Sequence, residues 1–231
     1  MDRQVIRTKN FAADAADFIL DQAHQAFGER NEFRIALSGG NTPIPIYTRL
    51  AALGHDLPWE LTRITFGDER CVPPDDPRSN ARMADEALLS MVRARSYAMD
   101  GRGCDAESYE RTLRRRFDEN LLFDVAIYGL GPDGHTASLF PGKPGVDVTD
   151  RWVIQVPEAG YEPFVPRVSL TVPALSAAKL GVFLVAGADK RVPLGQLLAG
   201  EDIPAARLTP ERLMVLADRA AAESLIQDAS P

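Results

Sequence analysis

Four clusters in this chain have the residue types and spacing to do chemistry. Asp133 and His135 stand two apart at the end of Gly129-Leu130-Gly131-Pro132-Asp133-Gly134, a run too rich in Gly and Pro for a helix or strand interior. The run directly follows the apolar segment Asp124–Tyr128. An imidazole titrates near neutrality, so a His beside a carboxylate can take and return a proton. Ser38-Gly39-Gly40-Asn41-Thr42-Pro43 lies between an apolar run, Phe33–Leu37, and a helical pattern over Ile44–Leu53. Strand, glycine turn and helix start aim backbone N–H groups at an anion. No Gly-Lys-Ser/Thr follows, so this is not a Walker loop. Asp68-Glu69-Arg70 and Asp189-Lys190-Arg191 each stand at the end of a further apolar run and bring cations with them.

Each cluster also has a plainer reading. Asp133 suits a helix N-cap with His135 in the first turn, the glycine run suits a tight turn, and Asp68–Arg70 suits a solvated one. Recurrence favours chemistry: His135 is one of three histidines, and the same punctuation follows several apolar runs.

The elements that must position these residues alternate. Val5–Ile6 is predicted as a short edge strand, followed by a helix capped by Asn10 and ended near Phe27 by Gly28. Further strands are expected at Phe33–Leu37, Arg63–Gly67, Asp124–Tyr128, Trp152–Val156, Arg167–Val172, Gly181–Ala186 and Met214–Ala217. Helices are expected over Ile44–Leu53, Ala81–Met91, Ala106–Asn120 and toward Leu198, with another after Ala217. Thr136–Leu139 is expected to start a helix. The arginine-rich helix from Ala106 also carries acids at pairing distance, which makes it a solvated face rather than a nucleic-acid surface. Alternation of strand and helix implies an α/β fold with a mostly parallel sheet and helices on both faces, with room for a small lid. In such a sheet the four clusters share the edge where ligands bind.

The 231 residues suit one domain spanning 1–231, with enough chain for a sizeable core. A formal net charge of −7 argues against a nucleic-acid or anionic-membrane partner while leaving room for a local anion pocket. Cys71 and Cys104 are too sparse for a disulfide framework and lack metal-ligand spacing, so a reducing cytoplasm is expected. No signal peptide or membrane-spanning run is apparent. The residues themselves reach as far as proton transfer or hydrolysis on a small phosphorylated molecule. Gly129-x-Gly131-x-x-Gly134 also fits a dinucleotide fingerprint, although Gly142, Pro144 and Gly145 leave no room for its helix and second strand. A sugar-phosphate sensor without catalysis is a third reading, and the Asp133–His135 pair speaks against it.

At these motifs the chain resembles the 6-phosphogluconolactonase family. The matching pieces are Leu37–Pro43; Gly67–Arg70 with Val72-Pro73 and Ser79-Asn80; Gly129–Gly142; Arg167–Thr171; and Gly187 with Lys190. The resemblance implies a Rossmann-like fold shared with glucosamine-6-phosphate isomerases. It also implies a cofactor-free hydrolase of 6-phosphogluconolactone with no obligate protein partner. Carried over, His135 is the general base and Asp133 orients it. Asp68 and Arg70 contact the substrate, and Ser38, Gly39, Gly40, Asn41, Thr42, Arg167 and Lys190 hold its phosphate. Asn41 stands where the family more often has Ser. Tyr161-Glu162-Pro163-Phe164-Val165-Pro166 replaces the usual Lys-Pro-Pro run before Arg167. Related deaminases carry a catalytic Glu where this chain has Phe140.

Overall fold

The computed structural model describes residues 3–117 and 121–223. In chain order the elements are β1 (Arg3–Arg7), α1 (Phe11–Arg30), β2 (Phe33–Leu37), α2 (Ile44–Leu53), β3 (Thr62–Phe66), β4 (Asp68–Arg70), α3 (Asn80–Ala84) and β5 (Arg95–Ser96). They continue with α4 (Ala106–Phe117), β6 (Phe123–Gly129), β7 (Val153–Val156), β8 (Arg167–Leu170), α5 (Val172–Ser176), β9 (Ala178–Val185), α6 (Arg191–Ala199) and β10 (Arg212–Ala217).

Seven strands pair in the order β1-β10-β9-β6-β2-β3-β5, every pairing parallel. Both faces are covered, which is why the central strands read as unbroken apolar runs. Alternate residues of β6 serve opposite faces. Val125 and Ile127 share a core with Ile19 of α1 and Ile46 and Leu50 of α2. Ala126 and Tyr128 join the other core, with Leu113 and Phe117 of α4 and Leu194 and Leu197 of α6. Because β9, β6, β2 and β3 are neighbours and parallel, the turns after them open on one edge.

A second, three-stranded sheet, β4-β8-β7, is antiparallel. One residue, Gly67, separates β3 from β4: its N–H donates to Leu37 O at 2.9 Å, and its carbonyl accepts from Leu170 N at 2.8 Å. The chain therefore passes from one sheet to the other at the site edge.

Several expectations change. Asp68–Arg70 is a strand rather than a turn, because its backbone pairs with Arg167–Ser169. The first helix runs through Gly28 to Arg30 and ends at Asn31, which takes the left-handed conformation at φ 57°. Asn10 makes no side-chain cap there. The helix after Ser79 is a short α segment followed by a π turn over Asp85–Leu89. Thr136–Leu139 does not start a helix, since Ala137 sits at φ 48° and Leu139 N–H returns to Thr136 O. The expected extension of α4 to Asn120 lies outside the described residues. Residues 218–223 after β10 form turns rather than the expected helix, and the rest of that segment is likewise outside. No helix among the described residues is long and apolar enough to cross a membrane.

Cys71 and Cys104 form a disulfide, with Cα atoms 5.3 Å apart, although two cysteines are too sparse to suggest a disulfide framework. The physical cause is a close approach of backbones. Any Cβ on Gly101 would lie 2.4 Å from Val72 O and 2.8 Å from Arg70 O, so the turn ending in Cys104 rests directly on the end of β4. The pairing removes the cysteine argument for a reducing compartment. Closing a span of 33 residues should stabilise the fold by about 3–4 kcal/mol through the unfolded chain. Cys104→Ser should lower the urea midpoint accordingly; equal midpoints for the variant and the oxidised protein would show that the bridge adds nothing.

Candidate active site

The parallel edge opens into a cleft of ≈ 400 Å³. Ser38, Gly39, Gly40, Asn41 and Thr42 line it from the end of β2. Asp68 and Arg70 line it from β4, His135 from the turn after β6, Arg167 from β8 and Lys190 from the turn after β9. Asp133 lies behind His135 rather than on the wall. The structure therefore brings together residues from five separate stretches of sequence.

The imidazole is held on several sides. His135 Nδ1 and Asp133 Oδ1 are 2.5 Å apart, and the same oxygen accepts the His135 backbone N–H at 3.1 Å. Donation from Nδ1 leaves Nε2 as the nitrogen with a free lone pair. Gly131 N–H donates to His135 O at 2.8 Å. A Cβ on Gly131 would lie 2.1 Å from Nδ1, so only glycine lets the ring pack there. Phe140 and Tyr161 flank the ring at centroid distances of 4.9 and 5.5 Å. Burial pushes the Asp133 carboxyl up, but the hydrogen bond and charge of His135 outweigh this and leave it below its ordinary value.

The turn after β2 is locked from behind and open in front. Buried Tyr47 accepts from Ser38 N–H and donates to Ser38 O, both at 3.0 Å. Gly40 takes φ 88°, which a side chain would strain. Among the described residues no protein acceptor takes the N–H of Gly39, Gly40, Asn41 or Thr42. The buried hydroxyls of Ser38 and Thr136 and Nε of Arg70 also lack protein partners among the described residues. Such groups are rarely left unpaired without a ligand or ordered water to meet them. Lys190 Nζ is 3.1 Å from the exposed carboxylate of Asp189, which leaves it donors to spare.

Asp68 and Glu69 are both buried and heavily bonded. Asp68 accepts from Ser138 Oγ at 2.5 Å and from Asn80 Nδ2 at 3.0 Å, and stands 3.6 Å from Arg167 Nη1. Glu69 accepts from the N–H groups of Arg70, Asn80 and Ala81 and from Ser79 Oγ, anchoring the start of α3. Burial pushes the Glu69 carboxyl up against those bonds. Arg70 spends Nη1 on Arg78 O at 2.7 Å. Arg167 is 3% exposed, and most of its donors face backbone carbonyls of the preceding loop.

Sequence reasoning passed over Thr136, Ser138, Phe140 and Tyr161 as site residues. The first three sit inside the long glycine motif, and their nearness to His135 was a usable signal. Tyr161 lies in an irregular Pro- and Gly-rich stretch and gave none. The dinucleotide fingerprint lacks its helix, because turns follow Gly134.

A family model described as glucosamine-6-phosphate isomerases/6-phosphogluconolactonase matches residues 7–217. A 6-phosphogluconolactonase of Synechocystis sp. is 41% identical over 217 residues, covering 87% of this chain and 88% of that one. The crystal structure of a 6-phosphogluconolactonase from Thermotoga maritima superposes with a TM-score of 0.85 at 30% identity, covering 94% of this chain and all of the other. A monomeric glucosamine-6-phosphate deaminase shares the fold, with a TM-score of 0.79 at 22% identity over 95% of this chain.

Because the folded Asp133 carboxyl lies below its unfolded value, ionised Asp133 stabilises the fold at neutral pH. That contribution is lost as pH falls through the folded value. Asp133→Asn should flatten the decline of the urea midpoint as pH falls through and below the ordinary carboxylate range. An unaltered slope would show that His135 is not holding the carboxylate.

Proposed function

The chain belongs to the glucosamine-6-phosphate isomerase/6-phosphogluconolactonase family, and from that membership we propose that it hydrolyses 6-phospho-D-glucono-1,5-lactone to 6-phospho-D-gluconate. One observation carries the reading. The Asp133–His135 pair and a turn of four unspent amides meet across a single cleft, joined by Arg70 and Lys190. A proton carrier and an anion cradle lining one cleft suit a small ester with a phosphate at its far end.

In the proposed reaction His135 Nε2 removes a proton from water as the water oxygen attacks the lactone carbonyl. The resulting tetrahedral oxyanion collapses by breaking the bond to the ring oxygen, and the imidazolium returns its proton to that oxygen. Asp133 keeps the ring in one tautomer and stabilises its cationic form. The phosphate is held by the N–H groups of Gly39–Thr42 with Ser38 Oγ, and its charge by Arg70 and Lys190. These local cations offset the field of a chain with net charge −7. An aldose–ketose isomerisation is less well served. Where related deaminases carry a catalytic Glu, the residue beside His135 is Phe140, which carries no titratable proton.

His135→Ala should lower kcat by about 10²–10⁴-fold, the usual cost of losing a general acid–base group. The assay follows freshly made lactone at fixed pH with spontaneous hydrolysis subtracted. Turnover near wild type would remove His135 from the mechanism. Lys190→Ala should raise KM with little change in kcat, since phosphate is bound alike in ground and transition states. An unchanged KM would place the phosphate elsewhere.

A further inference from the structure

The loop before β8 lies at the mouth of the cleft, tied at its end by Cys71 N–H to Pro166 O at 2.8 Å and within by Val165 N–H to Pro163 O at 2.8 Å. Tyr161 is 44% exposed and Phe164 is 70% exposed, so neither is fixed by burial in the core. The side-chain contact that reaches most of the backbone between them is that of Arg167. Nη2 donates to Pro163 O at 2.7 Å and Tyr161 O at 3.4 Å, and Nε donates to Val165 O at 3.2 Å. The remaining edge of the guanidinium, Nη1, faces the Asp68 carboxylate at 3.6 Å. Asp68 is itself fixed by Ser138 and Asn80. An arginine has five N–H donors in a rigid fork, and here three of its bonds already go to carbonyls of one loop. Little remains for a phosphate.

The held loop reaches the imidazole. A Cβ on Gly160 would lie 2.8 Å from Cβ and Cγ of Phe140, so the loop lies flat on the Phe140 ring only because residue 160 is glycine. The next residue, Tyr161, then stands 5.5 Å from the His135 ring, with Phe140 at 4.9 Å. We infer that Arg167 is a positioning residue: it pins the Tyr161–Val165 backbone so that Tyr161 confines the His135 imidazole, and it does not bind the substrate phosphate. This rests on the lactonase reading, with His135 as base. It goes beyond that reading by moving Arg167 from the phosphate to the proton carrier. The chemical consequence is orientation. A ring free to rotate or shift presents Nε2 to water less often, and a displacement of about 1 Å at a reacting group can cost up to about 10²-fold in rate.

The test compares Arg167→Met, Tyr161→Ala, Tyr161→Phe and the double variant Arg167→Met/Tyr161→Ala in the lactone assay. Inorganic phosphate serves as competing ligand. Arg167→Met and Tyr161→Ala should each lower kcat by about 10- to 10²-fold. KM and the inhibition constant of phosphate should stay within about twofold of wild type. The double variant should lose no more than the worse single variant, because both act along one path. Tyr161→Phe, which keeps the ring, should retain kcat. A large rise in KM and in the phosphate inhibition constant for Arg167→Met, with kcat intact, would make Arg167 a phosphate ligand and overturn the inference. So would losses that multiply in the double variant. Should Arg167→Met fail to fold, Tyr161→Ala decides alone, since its side chain is half exposed and full kcat there leaves the loop without a role. His135→Ala is run beside these. If it is inactive while Tyr161→Ala is fully active, only this inference falls; if it is fully active, the general-base reading falls first.

Discussion

A carboxylate buried where two sheets meet sets the geometry of the rest. Asp68 is 6% exposed, and an ion removed from water in this way costs several kcal/mol unless donors surround it. Its donors come from three other parts of the chain: Asn80 at the start of α3, Ser138 three residues past the imidazole, and Arg167 on β8. Each donor is also a hinge to a different wall of the cleft. Asn80 presses on Gly39, where a Cβ would come within 1.9 Å of its side-chain oxygen. Ser138 fixes the far end of the turn that carries His135. Arg167 fixes the loop that carries Tyr161. Satisfying one buried charge thus brings the proposed anion turn, the proposed proton carrier and the loop to a common origin, and the cleft's shape follows from that requirement.

The same logic explains a division of labour. The proposed anion site is built mainly from backbone, using amides that a parallel strand leaves open beyond its last ladder bond, and it needs small residues so that a phosphate can approach. The proposed proton site is built from one side chain, which must be oriented by others, so it is crowded with contacts: Asp133 on one nitrogen, Gly131 under the ring, Phe140 and Tyr161 beside it. The first is set by topology, the second by packing.

That difference decided what the sequence disclosed. Local features with a strong backbone cause were legible. The apolar runs of β2, β3, β6 and β9 matched buried parallel strands, and the glycine turns after them reached one edge because parallel strands leave no alternative. Features that depend on partners far along the chain were not legible. Asp68–Arg70 carries three charges and resembles a turn, and becomes a strand only by pairing with Arg167–Ser169 about a hundred residues on. Thr136–Leu139 has helix-like composition but is held in a left-handed turn through Ser138's bonds to Asp68 and Ser169. Cys71 and Cys104 pair through a turn whose approach depends on the missing side chain of Gly101, a contact no local pattern encodes. Gly28 misled for the opposite reason: glycine permits a helix to end but does not compel it, and Asn31 takes the left-handed terminus three residues later.

A family that contains both isomerases and lactonases shows why fold alone does not choose a reaction. Both chemistries can use the same anion turn, since both substrates end in phosphate. They part at the second proton. An isomerisation must move a proton from carbon to carbon as well as between oxygens, and the related deaminases carry a Glu at the position of Phe140. Hydrolysis needs a single base that passes its proton to the departing oxygen. At that position this chain places hydrocarbon, the Phe140 ring, braced by Gly160 and by Arg167 at 5.9 Å. A carboxylate at that position would meet both a nearby imidazole and a buried guanidinium already committed to Asp68, and would compete for the donors that hold the loop. The aromatic ring leaves those bonds undisturbed. In the proposed reaction an uncharged residue 140 thus serves hydrolysis rather than isomerisation and leaves the bonds of Arg167 to the loop undisturbed.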